Sequence, residues 1–293
     1  MKIQTFSILT GSEACNARCQ FCVSKMTYDG GVSLKKPEVN WRNFHIAAKL
    51  AKSVGVTTTM LTGKGEPTLF PTQITEYLEH LKQHDFPFNE LQTNGIAIME
   101  RPEVGEALKR WYQLGLTTVA VSIVHVDPEL NRQVYLPKRQ SYIDLPGLIE
   151  KLHNVDGNYG LSVRLTVTMA KGYLDNLGAL EQMLDFAKAN KVEQLTIRPV
   201  NKPVQSRDPL VYEWTAEHQL SEAQVKEFLD YANAHGTKVM ELDHGAQIFD
   251  IRGQNLCLTD CLSLPKGEDI RQLIFFPDGH LRYDWQFNGA TLI

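Results

Sequence analysis

The sequence predicts an α/β fold, a partial, TIM-like (βα)6 barrel of parallel strands with a small C-terminal α+β appendage. Short β-branched runs alternate with amphipathic helical segments over residues 1–200, and such alternation gives right-handed βαβ units and a parallel sheet. Six units fit an open barrel better than a closed barrel of eight strands. The alternation stops after residue 200, and residues 272–287 have the pattern of a β-hairpin. We therefore predict a barrel domain at 1–200 and an appendage at 201–293.

The individual elements follow from runs of apolar residues and from capping residues. The helix after the first strand should begin after Asn40, a favourable N-cap, and end at Gly55. Ser221 should cap a helix of the appendage, and residues 201–213, which are rich in Pro, Arg and Asn, should form a long functional loop. The six barrel strands are predicted at Ile3–Leu9, Val56–Leu61, Glu90–Gln92, Thr117–Val124, Leu161–Thr168 and Gln194–Val200.

The overall composition is that of a soluble globular protein. The chain has 293 residues, of which 43% are hydrophobic and 22% are charged, and its formal net charge is −4. This charge gives no strong sign of a nucleic-acid groove or of an anionic membrane surface as partner. The sequence has no apolar run of membrane-spanning length, and its N-terminal apolar stretch is too short for a secretory signal. We expect a cytoplasmic protein with no membrane partner.

The five cysteines lie in two tight groups, Cys15, Cys19 and Cys22, and then Cys257 and Cys261. A disulfide framework would spread its cysteines along the chain and pair them, whereas clustered cysteines indicate metal ligands. The first group follows the first strand, at the sheet edge where α/β proteins place their active sites. Three thiolates can hold three corners of a cubane cluster and leave the fourth iron open. The alternatives are a structural zinc, which usually takes four protein ligands, and incidental buried thiols.

The run Cys15-Asn-Ala-Arg-Cys19-Gln-Phe21-Cys22 resembles the CxxxCxΦC motif of the radical S-adenosylmethionine (SAM) superfamily. The resemblance implies a [4Fe–4S] cluster on the three cysteines, with SAM on the open iron and the backbone of Phe21 against the adenine. It also implies reductive cleavage of SAM to a 5′-deoxyadenosyl radical that acts on a small molecule, a nucleotide or a peptide. A flavodoxin or ferredoxin would then donate the electron.

A second motif follows the second predicted strand. Gly63-Lys64-Gly65-Glu66-Pro67 is similar to the GGEP loop of the family, where backbone carbonyls and the Glu region receive the SAM ammonium, although Lys64 departs from that pattern. By itself such a run is also typical of an ordinary turn before a helix. The resemblance further implies SAM or substrate contacts at strand ends, for which the matching residues are Thr93, Asn94, Ser122, Arg164 and Arg198. In this assignment Ser122 meets the ribose or carboxylate, Arg164 meets the carboxylate, and Arg198 meets adenine or substrate or forms an ion pair.

The C-terminal hairpin resembles the twitch and SPASM appendages of some members, such as the GTP 3′,8-cyclase of molybdenum-cofactor synthesis. In those relatives a cysteine after the hairpin binds an auxiliary Fe–S cluster, and Asp284 stands at that position here. We favour an appendage that keeps the scaffold without a second cluster. The alternative is a metal bound by Cys257 and Cys261 together with Asp284, His244 or His280.

The leading functional hypothesis is therefore a radical SAM enzyme whose substrate lies between barrel and appendage. The candidate pocket residues are His125, Tyr135, Arg139, Asn201 and His244. One alternative is an activase that installs a radical on a partner protein. Another, from a different class, is a non-catalytic Fe–S carrier or zinc-stabilised binding module, which would need neither an open iron nor a GGEP-like loop.

Overall fold

The computed structural model describes residues 3–27, 38–138, 142–157, 159–203, 206–242, 245–259, 270, 272–285 and 290–293. Its strands are β1 Thr5–Leu9, β2 Thr58–Thr62, β3 Phe88–Thr93, β4 Thr118–Ile123, β5 Ser162–Met169, β6 Gln194–Pro199, β7 Thr237–Glu241, β8 Gln247–Ile251, β9 Gln254–Leu258, β10 Gln272–Phe275 and β11 Leu281–Arg282. Its helices are α1 Val23–Met26, α2 Trp41–Ser53, α3 Pro71–Leu81, α4 Ile96–Glu100, α5 Pro102–Gln113, α6 Pro128–Tyr135, α7 Leu145–His153, α8 Leu177–Ala189, α9 Pro209–His218 and α10 Glu222–His235.

The strands β1 to β6 pair in chain order, and every pairing among them is parallel. Along these strands, alternate residues such as Val121 and Leu165 are buried in the main core with the helices. The residues between them include Gln92, Ser122 and Arg164, which lie on the other face because strand side chains alternate with a period of two. The predicted α/β fold with a mostly parallel, partial TIM-like barrel is confirmed, and its sheet has a polar inner face.

The strands that follow residue 200 extend this sheet at both edges. In the described part of the chain, the sheet order is β11-β10-β1-β2-β3-β4-β5-β6-β9-β8-β7. Strand β9 pairs in parallel with β6 and β10 pairs in parallel with β1, whereas β7, β8 and β11 are antiparallel to their neighbours. The predicted hairpin corresponds to β10 and β11, with a shorter second strand than expected. The division of the chain at residue 200 stays a prediction.

The predicted caps of the two helices are confirmed. The Asn40 side chain accepts a hydrogen bond from the Asn43 N–H at 3.1 Å, and Ser221 forms a capping box with Gln224 at the start of α10. Gly55 follows α2 with a φ of +87°, a left-handed conformation that favours glycine. No helix in the described residues is both long enough and apolar enough to cross a membrane.

The predicted loop at 201–213 differs from the structure, because α9 begins within it at Pro209. The Asp208 carboxylate accepts hydrogen bonds from the backbone N–H groups of Leu210 and Val211, at 3.1 and 3.3 Å. Proline is favourable at the first helical position, where no N–H partner is needed. Residues 209–213 are therefore helical, and the prediction of a loop was wrong for them.

Candidate active site

The cysteine loop lies on the C-terminal end of α6. The backbone N–H of Arg18 donates to the Tyr135 carbonyl at 2.9 Å, and the N–H of Gln20 donates to the Val134 carbonyl at 3.0 Å. The last carbonyls of a helix have no partner within that helix, so they need donors from elsewhere. The loop supplies these donors, and the end of the helix fixes the conformation of the loop between its first and third cysteines.

The three thiols of this loop share one partly buried region. Cys15, Cys19 and Cys22 are each half-buried. Burial, and then the charge of Glu66, raise the pKa of Cys15 to about 11. Burial, followed by the charges of Cys22 and Cys15, raises the pKa of Cys19 well above its ordinary value. Thiolates here are unfavourable without a cation, and iron would provide the compensating positive charge.

These thiols fit a [4Fe–4S] cluster by the chemistry of the donor set. Within the described ranges, no three His, Cys, Asp or Glu side chains converge to ligate a single ion. A cubane makes a different demand, because each thiolate bonds a different iron and the ligands surround a volume. Three half-buried thiols on one loop match that donor set. The other described cysteine, Cys257, is buried in β9, and Cys261 lies outside the described residues.

The Gly63–Pro67 segment packs directly against the cysteine loop. A Cβ at Gly65 would overlap the carbonyl oxygen of Ala14, and a Cβ at Gly63 would lie 2.9 Å from the carbonyl oxygen of Thr10. The Glu66 N–H donates to the same Ala14 carbonyl at 3.0 Å. Both glycines are therefore required by the close approach of two backbone segments, one after β1 and one after β2.

The carboxylate of Glu66 is the centre of a buried hydrogen-bond network. Its side chain accepts from the Thr68 N–H at 3.0 Å, from the Thr68 hydroxyl at 2.5 Å and from the Thr93 hydroxyl at 2.6 Å. The Asn94 N–H donates to its second oxygen at 2.9 Å. Burial raises the pKa of Glu66, and these hydrogen bonds oppose that rise. Glu66 thus joins the end of β2 to the end of β3.

Asn94 carries this network on to the cysteine loop. Its side-chain amide donates to the Asn16 side-chain oxygen at 2.7 Å, and its own oxygen accepts from the Ile96 N–H at 3.0 Å. Gly95, with a φ of +75°, forms the turn between these groups. Sequence analysis assigned Glu66, Thr93 and Asn94 to a common site, and the structure brings all three together.

The remaining strand residues lie on the inner face of the sheet at different distances from the carboxyl ends of the strands. A residue further from those ends is called lower here. Ser122 is half-buried near the end of β4, and its carbonyl accepts from the Tyr142 hydroxyl at 3.4 Å. Arg164 is lower, in register with Ala120, and its guanidinium pairs with the buried carboxylate of Glu90. The structure does not bring Arg164 together with the Glu66 network. Arg198 is half-buried at the end of β6; burial raises the pKa of Tyr135, and the charge of Arg198 partly opposes that rise.

Lys64 connects the site to the C-terminal strands. Its side chain is buried, its ammonium donates to the Thr27 hydroxyl at 3.0 Å, and the same nitrogen lies 5.5 Å from the centre of the Trp285 ring. An ammonium over an indole face is a favourable cation–π arrangement. The lysine that departs from the family motif therefore contacts the segment after β11.

The pocket candidates are distributed over several places. His125 is buried beside a cavity of roughly 420 Å³ at the ends of β4 and β5, and its Nδ1 accepts from the Asp127 N–H at 3.0 Å. The cavity is also lined by Leu130, Gly172, Tyr173, Asp175, Asn176, Gly178, Ala179 and Gln182. Tyr135 is buried beside the cysteine loop, and Asn201 is half-buried after β6. Arg139 and His244 lie outside the described residues.

Helix α9, which was not predicted from the sequence, covers the cysteine loop. The Trp214 ring lies 6.2 Å from the ring of Phe21, measured between centroids. The Lys25 ammonium lies 3.6 Å from the Asp208 carboxylate, and the Arg207 guanidinium lies 3.8 Å from Glu13. The Asp208-Pro209 pair, an N-cap followed by a favourable first residue, is the sequence signal that could have revealed this helix.

The chain is similar to known proteins in sequence and in fold. A model of the Radical SAM superfamily matches residues 9–187, a span that contains the cysteine triplet and the Glu66 network. A search of curated proteins finds no match. Among solved structures, Streptococcus suis SuiB bound to S-adenosylmethionine has a TM-score of 0.60 and 15% identity, covering 100% of this chain and 60% of that chain.

Two further structures share the fold. Streptococcus suis SuiB bound to the precursor peptide SuiA has a TM-score of 0.56 and 14% identity, with 97% of this chain and 60% of that chain covered. Native anSMEcpe with bound AdoMet has a TM-score of 0.56 and 15% identity, with 99% and 77% covered. The chain thus spans about three fifths of the length of SuiB. At these identities the likeness shows the fold alone.

Proposed function

The chain belongs to the radical SAM superfamily, and on this basis we propose that Cys15, Cys19 and Cys22 hold the [4Fe–4S] cluster of a radical SAM enzyme. The family chemistry is reductive cleavage of SAM at such a cluster to give a 5′-deoxyadenosyl radical. The observation that carries the assignment is the set of three half-buried thiols on one loop, fixed between α6 and the Glu66 network.

The protein groups around the cluster act mainly by holding its loop in place. The end of α6 fixes the middle of the loop, and Asn94 fixes Asn16, which follows the first cysteine. We propose that the Gly63–Pro67 segment meets SAM through its backbone, because the Glu66 carboxylate is already occupied by four hydrogen bonds. Phe21 and α9 would exclude water from this side of the cluster.

We propose that SAM extends from the cysteine loop across the ends of β3 to β6. Thr93 and Asn94 shape the loop that would border the amino-acid part of SAM. Ser122 and Arg198 lie near the carboxyl ends of β4 and β6, where they could contact the rest of SAM. Arg164 would contact bound SAM or substrate only if it left Glu90, or if the ligand extended down the inner face of the sheet to it. The electron would come from a flavodoxin or ferredoxin.

A peptide is the substrate class that we propose to test before small molecules and nucleotides. The support is the fold shared with SuiB, whose structure was determined with its precursor peptide SuiA. For the C-terminal part we keep the proposal of a scaffold without a second cluster, since Cys257 is buried in β9 on the same face as Ile248. The division into domains at 1–200 and 201–293 also remains a proposal.

The assignment is tested by anaerobic reconstitution with iron and sulfide. The wild type should bind about four irons per chain and, when reduced by dithionite with SAM present, release 5′-deoxyadenosine. Cys19→Ala should lose the cluster, because two thiolates do not anchor a cubane. Cys257→Ala is the matched control, and it should bind as much iron as the wild type and still release 5′-deoxyadenosine. A wild type that loads the cluster yet neither binds nor cleaves SAM would refute the proposal.

A further inference from the structure

The hydroxyl of Tyr135 is a buried polar group that no described residue engages in a hydrogen bond. Tyr135 is 2% exposed, and its hydroxyl has no hydrogen-bond partner among the described residues. Buried hydroxyls are nearly always paired, because leaving one unpaired forfeits the hydrogen bond it would make with water. A group of this kind beside a cofactor site is expected to find its partner when the cofactor binds.

Tyr135 is held against the cysteine loop by its backbone and by its ring. Its carbonyl accepts from the Arg18 N–H at 2.9 Å, and its ring packs edge-on against Phe21, with centroids 5.6 Å apart. Arg18 and Phe21 flank Cys19 in the sequence. The Tyr135 residue therefore packs against the segment that carries the middle cysteine. Burial, followed by the charges of Tyr142 and Cys19, raises its pKa.

Tyr142 provides an internal comparison at the same place. Its ring centroid lies 5.7 Å from that of Tyr135, and burial, followed by the charges of Cys19 and Glu66, raises its pKa as well. Its hydroxyl, however, donates to the carbonyl of Ser122 at 3.4 Å. Of these two buried tyrosines, Tyr135 is the one whose hydroxyl proton is not engaged by a described residue.

We propose that the Tyr135 hydroxyl donates a hydrogen bond to the sulfur of Cys19 when that thiolate carries the cluster, and thereby raises the reduction potential of the cluster. Reduction adds negative charge to the cluster and its thiolates, and a donor to sulfur stabilises the reduced form more than the oxidised form. Tyr135 is thus a positioning residue that acts through Cys19. The inference rests on the proposed function, since it requires the cluster on the cysteine triplet.

The test compares reconstituted wild type, Tyr135→Phe and Tyr142→Phe without SAM. Iron content is measured first, and the midpoint potential of the cluster is then determined by redox titration followed by electron paramagnetic resonance. Tyr135→Phe should bind as much iron as the wild type and have a more negative midpoint potential, whereas Tyr142→Phe should match the wild type in both. An unchanged potential in Tyr135→Phe, or equal shifts in both variants, would overturn the inference.

Two further measurements separate the remaining outcomes. Incorporation of 3-fluorotyrosine at position 135 keeps the ring and strengthens the donor, so the potential should move in the positive direction; this measurement decides the matter if Tyr135→Phe fails to fold. Affinity for SAM is measured on the same samples, and weaker SAM binding at an unchanged potential would assign the hydroxyl to SAM and contradict the proposal. A wild type without a cluster at the triplet would instead refute the proposed function itself.

Discussion

The side-chain amide of Asn94 donates a hydrogen bond to the side-chain oxygen of Asn16 at 2.7 Å, and this contact joins the end of β3 to the cysteine loop. The Asn94 N–H also donates to Glu66, whose own N–H donates to Ala14. The residues on both sides of Cys15 are therefore fixed by strand ends that lie far from it in sequence. Substitutions in this network should affect the cluster although they remove no ligand.

Glu66→Ala should destabilise the protein by roughly 2–4 kcal/mol and also lower iron loading. The change leaves the buried donors of Thr68, Thr93 and Asn94 without their acceptor, which is costly for charge-assisted bonds. Urea unfolding and iron analysis measure the two effects. Glu106→Ala, at an exposed position on α5, is the control and should change the free energy of unfolding by less than about 0.5 kcal/mol. Normal stability and iron content in Glu66→Ala would contradict the network as described.

Gly65→Ala should displace the cysteine loop and reduce the iron bound after reconstitution. The new methyl group would overlap the carbonyl of Ala14, a backbone atom that cannot turn away as a side chain can. Gly105→Ala is a suitable control because the nearest atom to its added methyl is the flexible end of Lys151, and alanine favours the helix. If both variants load iron equally well, the close packing of the two loops is not required for cluster binding.

Replacing Cys257 and Cys261 together by alanine should leave the iron content of the protein at about four atoms per chain. Cys257 is buried in a small apolar group with Ala246 and Ile248, so the expected loss of stability is that of a core truncation, about 1–3 kcal/mol. Elemental analysis of the wild type and the double variant decides between the alternatives. Loss of one zinc would identify a metal site at this pair, and loss of about four irons would restore the second cluster.

A chain of three histidines on the outer surface should make stability fall at acidic pH. The Nδ1 of His45 lies 2.8 Å from the Nε2 of His84, and the Nε2 of His45 lies 3.0 Å from the Nδ1 of His80. Burial, and then the charge of His45, lower the pKa of His80 and of His84 below the ordinary value of 6.5. The stability they contribute is present above that value, because the neutral forms are favoured in the folded protein, and it is lost as the pH falls below it.

Urea unfolding between pH 7.5 and pH 5 measures this dependence. The double variant His80→Gln with His84→Gln should show a shallower fall in the free energy of unfolding than the wild type. His235→Gln, a change at an exposed histidine of α10, is the control and should follow the wild type. If the free energy of unfolding falls equally with pH in all three proteins, the three histidine rings have no part in the pH dependence.

The order and direction of the barrel strands could be predicted because each βα unit is local. The strand before Gly63 is predicted by its run of β-branched and apolar residues, and the helix after Asn40 is predicted by its N-cap and apolar face. Both signals lie within a few residues of the element. The pairing of β10 with β1 could not be predicted, since residues at opposite ends of the chain meet there. The helix at Pro209 has a cap signal, but the surrounding proline and arginine residues favoured a loop.

The sequence could nominate the residues of the candidate site, but it could not predict the contacts among them. Spacing is enough to propose Cys15, Cys19 and Cys22 as cluster ligands, because the three cysteines lie within one loop. The same motif analysis placed Glu66 beside SAM, yet its carboxylate is occupied by Thr68, Thr93 and Asn94, a fact that depends on how β2 and β3 lie side by side. Tyr135 was noted as a pocket residue, but its unused hydroxyl is visible only once α6 is placed against the cysteine loop.

The position of β10 also determines when the cysteine strand can reach its final surroundings during synthesis. Thr5 of β1 pairs with Gln272 of β10, so the ribosome must synthesise the chain as far as residue 272 before this edge of β1 is covered. Until then this edge of β1 presents unpaired backbone groups, which invite aggregation. Contacts of such long range also form slowly. Chains halted before residue 272 should therefore depend on chaperones, and cluster insertion should follow the synthesis of β10.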